Sequence, residues 1–115
     1  MKTVLIVDDE TAIRELVSIM LSGRYRIVTA KNGREAIEKF RVFKPDYVIM
    51  DVMMPLMNGI EAIREMKSMD ENVKIIALTA YAEKKRKELI DAGAYEVIGK
   101  PFRRKDLIYA LQKDR

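Results

Sequence analysis

Apolar and polar positions fall into blocks along the whole chain, and the blocks come in pairs. A short apolar run, Thr3–Val7, is followed by Thr11–Leu21, where Ile13, Leu16, Val17 and Met20 recur at three- and four-residue spacing. The first reads as a strand and the second as an amphipathic helix, stopped by Ser22-Gly23. The pair then repeats. Arg26–Ala30 is a more polar strand, placed nearer a sheet edge, and Asn32-Gly33 leads into a helix carrying Ala36, Ile37 and Phe40. Lys44-Pro45 closes that helix, because proline disfavours helical backbone in the residue before it. Residues 47–50 form a third strand and 58–67 a third helix, with Ile60, Ile63 and Met66 inward. Residues 73–78 precede a Lys- and Glu-rich helix, Ala82–Ala92, closed by Gly93. A strand at 95–98 and a helix at 104–113, with Leu107, Ile108 and Leu111 on its apolar face, complete the series.

Five strand–helix units in 115 residues are expected to make one domain, 1–115, without a linker or an output domain. The first, third and fourth strands are apolar on both faces, as strands are in a parallel sheet covered by helices on both sides. Right-handed crossovers then predict an α/β fold, an open, doubly wound five-stranded parallel sheet. The order of its strands does not follow from periodicity. Chemistry in such sheets gathers beyond the C-terminal strand ends.

The residues just beyond each strand are therefore informative. Asp8 and Asp9 come after the first, Asp51 after the third, Thr79 after the fourth and Lys100 after the fifth. Three carboxylates on one edge repel each other unless a cation joins them. Mg²⁺ takes one or two carboxylates, waters and a phosphate oxygen. A lysine, a hydroxyl and such a metal together stabilise a phosphoryl group in transfer, leaving Asp51 as a nucleophile that forms an acyl phosphate. Each residue also has a plainer reading. Asp8 and Asp9 could cap the first helix, Asp51 could be a loop acid, and Thr79 and Lys100 are uninformative alone. Pro55 and Asn58-Gly59 read as turn chemistry shaping the loop beside Asp51, and Met53 and Met54 read as packing. The specificity lies in the joint pattern.

Composition narrows the chemistry further. The chain has no Cys and no His, so thiolate metal sites, Cys nucleophiles and resident imidazole chemistry are excluded, and any metal takes oxygen ligands. No apolar run approaches the length of a membrane span, and acids follow the N-terminal run at once, so a cytoplasmic protein without membrane insertion is expected. The net charge of +4 is spread along the chain. The clusters "EKKRKE" and "RRK" read as solvated helix faces, so no nucleic acid partner is expected.

The stretches "LIVDDE", "VIMDVMMPLMNGIEAI", "ALTAYA" and "DAGAYEVIGKPF" together resemble the receiver domain of bacterial response regulators, over essentially the whole chain. The resemblance implies a (βα)₅, flavodoxin-like sheet of order 2-1-3-4-5. It implies Asp51 as phosphoacceptor, Asp9 as direct Mg²⁺ ligand, Asp8 as the acid holding the metal through water, and the Met53 carbonyl as a further ligand. Mn²⁺ is a possible substitute. Thr79 matches the switch hydroxyl, Lys100 the phosphoryl-contacting lysine, and Pro101 a proline usually preceded by a cis bond. The donor is then a phosphohistidine on a sensor histidine kinase, docking near Ile13, Arg14, Leu16, Val17, Pro101 and Phe102. A His-phosphotransfer protein or another protein target would receive the signal, and the chain would act as a monomer and catalyse only its own phosphorylation and dephosphorylation. The single-domain type is the nearest in kind, resembling sporulation-phosphorelay and chemotaxis regulators; "TAY" and "DEN" lean toward the former.

One position departs from the pattern. The family often has an aromatic residue three before the conserved lysine, and here that position is Val97. The expectation is a switch confined mostly to the loop after Thr79. Among other classes, an Asp-nucleophile Mg²⁺-dependent phosphatase is the alternative, but it calls for an acid two residues after the nucleophile, where Met53 stands. A flavodoxin-like cofactor site is disfavoured, because Asp8 and Asp9 would repel its phosphate.

Overall fold

The structure is a computed structural model that describes residues 1–53 and 58–113. Five strands alternate with five helices: β1 Thr3–Val7, α1 Thr11–Leu21, β2 Arg26–Ala30, α2 Gly33–Phe43, β3 Tyr47–Asp51, α3 Gly59–Met69, β4 Lys74–Thr79, α4 Ala82–Ala92, β5 Glu96–Gly99 and α5 Arg104–Gln112. All neighbouring strands are parallel and the order is β2-β1-β3-β4-β5, as the resemblance implied. The polar strand β2 is at an edge, and the three apolar strands are central.

The pleat divides the core into two layers. Successive residues of a strand point to opposite faces. Leu5, Val7, Val48, Met50, Ile75, Ala77 and Val97 therefore share one face, where they meet Ile37 and Phe40 of α2, Ile63 and Met66 of α3 and Leu89 of α4. Val4, Ile6, Ile49, Ile76 and Leu78 share the other, against Val17 and Leu21 of α1 and Leu107 and Leu111 of α5. Strands covered on both sides have no polar face, which is why β1, β3 and most of β4 read as unbroken apolar runs.

Three sequence expectations change. Leu16 was expected in the inward stripe of α1, but it is 44% exposed; the buried face runs through Ile13, Val17, Met20 and Leu21, and Leu16 lies at its margin. Three strands, β3, β4 and β5, also end one residue further along than expected, and two of those residues belong to the site. Asp51 pairs in register with Leu78 and Thr79 with Gly99, so both are strand residues held in the ladder rather than loop residues beyond it. Finally, Asn58-Gly59 is not a free turn. Asn58 is the N-cap of α3, its Oδ1 accepting from the Ile60 amide at 2.8 Å. Gly59 is the first helical residue, packed on the backbone just after Asp51. A Cβ there would stand 2.7 Å from Val52 Cα and 2.8 Å from its carbonyl oxygen. Glycine is needed here for close approach, not for an unusual φ. Met54 and Pro55 lie outside the described residues.

Since the clash at Gly59 is with backbone, Gly59→Ala is expected to destabilise the fold by about 1–3 kcal/mol, the usual cost of overpacking. Chemical denaturation of the variant against the parent protein checks this.

Candidate functional site

The β1–β3 pairing puts Val7 beside Met50, so the next residues, Asp8 and Asp51, emerge level with one another at the C-terminal end of two adjacent strands. This is the point where the chain's crossovers switch sides, with α1 on one face and α2 on the other. β4 adds Thr79 at its last position, and Lys100 follows β5 directly. All the sequence-predicted site residues thus gather on one edge. Asp8, Asp51 and Thr79 are buried, at 1%, 4% and 0% exposure. Lys100 is half-buried, and Asp9 and Met53 are exposed at the rim.

Asp51 is held at both oxygens. Its Oδ2 is 3.1 Å from the Lys100 ammonium, and its Oδ1 accepts from the Met53 amide at 2.9 Å. The carboxylate plane is therefore set before any partner arrives. Thr79 Oγ1 accepts from the Tyr81 amide at 3.0 Å, which ties the hydroxyl to the start of α4. The Lys100–Pro101 bond is cis, as expected.

Asp8 is only partly satisfied. Its Oδ1 accepts from the Glu10 amide at 2.9 Å, but Oδ2 is buried with no hydrogen-bond partner among the described residues. Burial pushes its carboxyl above the ordinary range. The Glu10 N–H opposes this, the neighbouring Asp51 charge reinforces it, Lys100 opposes and Asp9 adds a little more. An orphaned buried carboxylate oxygen beside further acids fits a hard cation. Asp8, Asp9 and Glu10 offer oxygens within 4.8 Å of one another. Glu10 was missed at the sequence level, although it completes the visible run "DDE".

The surface expected to meet a kinase divides in two. Val17 is fully buried and belongs to the core, a correction that follows from its place on the inward face of α1. Ile13 and Phe102 pack partly against that core, leaving Leu16 and Pro101 exposed. Val97 is likewise core, at 3% exposure. Neither nearby tyrosine replaces an aromatic at that position. Tyr81 is 51% exposed, and the Tyr95 ring sits between the ammonium groups of Lys113 and Lys74, at 4.8 and 5.5 Å.

Comparison with known proteins gives the family and the fold. Residues 4–112 match the family described as the response regulator receiver domain. The chemotaxis protein CheY of Thermotoga maritima is 44% identical, over 97% of this chain and 96% of that protein. A crystallised chemotaxis protein of Vibrio cholerae superposes with a TM-score of 0.91 at 35% identity, covering 98% of each chain. The response regulator TrrA of Thermotoga maritima, solved in complex with Mg²⁺ and a beryllium fluoride, gives a TM-score of 0.88 at 40% identity, again over 98% of each.

Asp8 yields a pH-dependent test. Because the folded protein holds its proton more tightly than the unfolded chain, metal-free stability falls as pH rises from the ordinary carboxylate range through the raised folded value. Asp8→Asn is expected to remove that decline and to stabilise the metal-free protein at neutral pH by about 1–3 kcal/mol, the cost of an unsatisfied buried group. The gain should vanish in acid. Thermal melts in chelator across the pH range measure both.

Proposed function

The chain belongs to the response regulator receiver domain family, and we propose that Asp51 is the residue of this chain that accepts the phosphoryl group. A receiver is a signalling module that takes a phosphoryl group from the phosphohistidine of a histidine kinase. The observation that carries the residue assignment is the Asp51 carboxylate, buried at a strand end and pinned by Lys100 and the Met53 amide. An Asp51 oxygen attacks phosphorus, the phosphorus–nitrogen bond breaks, and its electron pair stays on the donor imidazole. Lys100 lies where it can follow the charge from the carboxylate to the incoming phosphoryl oxygens. Thr79 turns its hydroxyl from the Tyr81 amide to the phosphoryl group. Water later attacks phosphorus and restores the carboxylate, with exposed Met53 and Tyr81 at the approach. The chain thus catalyses only its own phosphorylation and dephosphorylation.

Receivers bind Mg²⁺ at an acidic cluster, and this chain carries such a cluster. Asp8 and Asp9, with Asp51 and the Met53 carbonyl, would hold the ion, and Mn²⁺ suits the same oxygen donors. When bound, the ion neutralises the acids and the phosphoryl oxygens. Nothing in the comparisons favours a phosphatase, and no acid stands at position 53.

Receivers of this kind engage histidine kinases and other proteins. We read residues 1–115 as one such unit, acting as a monomer in the cytoplasm, handing its signal to a His-phosphotransfer protein or another protein target and not to nucleic acid. No helix among the described residues is long and apolar enough to cross a membrane. The signal leaves through the loop after Thr79, because α4 is latched to β5. Arg86 donates to the Val97 carbonyl at 3.1 Å and to Glu96 at 3.3 Å. Glu96 is a strong anchor: burial pushes its carboxyl up, but Lys113, the Val97 amide and Arg86 together hold it below the ordinary range.

Incubation with a partner kinase and labelled ATP should label the protein, and Asp51→Asn or a chelator should reduce the label at least 100-fold. Label that survives Asp51→Asn rejects the assignment. Amide shift mapping with a phosphoryl mimic should show the largest changes at residues 79–82; comparably large shifts throughout β5 would count against the latched α4–β5 unit.

A further inference from the structure

Arg14 stands one turn into α1, half-buried, with its guanidinium turned back toward β1. Nη1 donates to the main-chain carbonyl of Asp8 at 2.7 Å, and Nη2 donates to Thr11 Oγ1 at 3.1 Å. That carbonyl belongs to the peptide joining Asp8 to Asp9. The rest of Asp8 is fixed by other means, its amide on the Ala30 carbonyl at 3.1 Å and its Oδ1 on the Glu10 amide. Arg14 therefore supplies the remaining restraint, and it is the charged one, so the bond is stronger than a neutral one. Asp9 makes no side-chain hydrogen bond among the described residues. No side-chain contact among the described residues orients its carboxylate, so the peptide before it is what places the residue.

We propose that Arg14 is a positioning residue for Mg²⁺ capture, holding the Asp8–Asp9 peptide so that both residues stand in place before the ion arrives. The proposal rests on the receiver reading above. It departs from the sequence-level expectation of Arg14 as a kinase contact, since both of its terminal nitrogens are bonded to residues 8–11 of its own chain. Two effects of the residue oppose each other. As a cation beside an acid cluster, Arg14 weakens dication binding, and its loss would tighten it. As an anchor it saves the loop from reorganising on binding, and its loss would weaken it. A fork with a short charged bond at its centre favours the second effect, because the guanidinium is half-exposed and its longer-range charge is screened. Partners of this outer kind typically change metal affinity by about 10- to 100-fold.

The test compares the parent protein with Arg14→Ala and Arg14→Lys. Mg²⁺ is titrated while the amide resonances of Asp8, Asp9 and Glu10 are followed, and the Mg²⁺ dependence of labelling is measured with a small acyl phosphate and with a phosphohistidine kinase. Arg14→Ala is expected to need about 10-fold more Mg²⁺ for half-saturation in all three measurements, with full labelling regained at saturating Mg²⁺. Arg14→Lys, which keeps the charge but reaches one acceptor, should fall between. Unchanged or tighter Mg²⁺ binding in Arg14→Ala overturns the proposal. So does a defect confined to the kinase, which would make Arg14 a docking residue. Should Arg14→Ala melt early, Thr11→Val removes one prong of the fork and must shift the Mg²⁺ midpoint in the same direction by a smaller factor. A parent protein that takes no label from either donor, while Arg14→Ala still shifts the Mg²⁺ titration, would remove the receiver reading and leave the positioning role standing.

Discussion

Two carboxylates buried side by side at the tips of adjacent parallel strands set the constraint that the rest of the site answers to. Asp8 and Asp51 emerge level from β1 and β3, and neither can retreat into solvent, because each is rooted in a central strand. Charged groups in such a place either find a counter-charge or take up a proton. The two acids solve the problem differently. Asp51 is matched by Lys100 and a backbone amide. Asp8 is left with one oxygen unpartnered among the described residues and its carboxyl pushed up by burial. The asymmetry separates the two: one carboxylate is partnered at both oxygens, and the other keeps an oxygen, unpartnered among the described residues, of the kind that suits a hard cation.

The surrounding structure serves to keep this arrangement from relaxing. The strands cannot tilt, since both faces of the sheet are packed. Gly59 lets α3 start against the residue after Asp51, which sets that helix close to the strand end. Arg14 holds the carbonyl of the other loop from within α1. Preorganisation of this kind is what phosphoryl transfer asks of a protein, because the reaction needs placement and charge compensation more than covalent help.

Away from the acids, the same sheet edge decides how a change at Asp51 can travel. Thr79 bonds the amide of Tyr81, so any move of its hydroxyl disturbs the start of α4 first. Beyond that turn, Arg86 joins α4 to the outer edge of β5, and Glu96 and Lys113 join β5 to the end of α5 at 2.8 Å. A helix and strand joined in this way resist displacement. The residue at position 97 is a small core valine, 3% exposed.

Much of this was legible in the residues themselves. Period-two and period-3.6 patterns depend on local geometry, so nearly every element was placed within a residue or two, and the polar character of Arg26–Ala30 marked an edge strand. Reactive residues at four strand ends were equally plain, since parallel topology sends all those ends to one side. Tertiary structure alone decided the rest. Strand order depends on which crossovers pair across the sheet, and nothing local encodes it. Whether Leu16 or Val17 faces inward turns on how α1 lies against the sheet. That Gly59 serves close approach, that Arg14 reaches back to the Asp8 carbonyl, and that one Asp8 oxygen is left alone are facts about distances between separate elements. A one-dimensional pattern records the period of a segment but not what lies across from it.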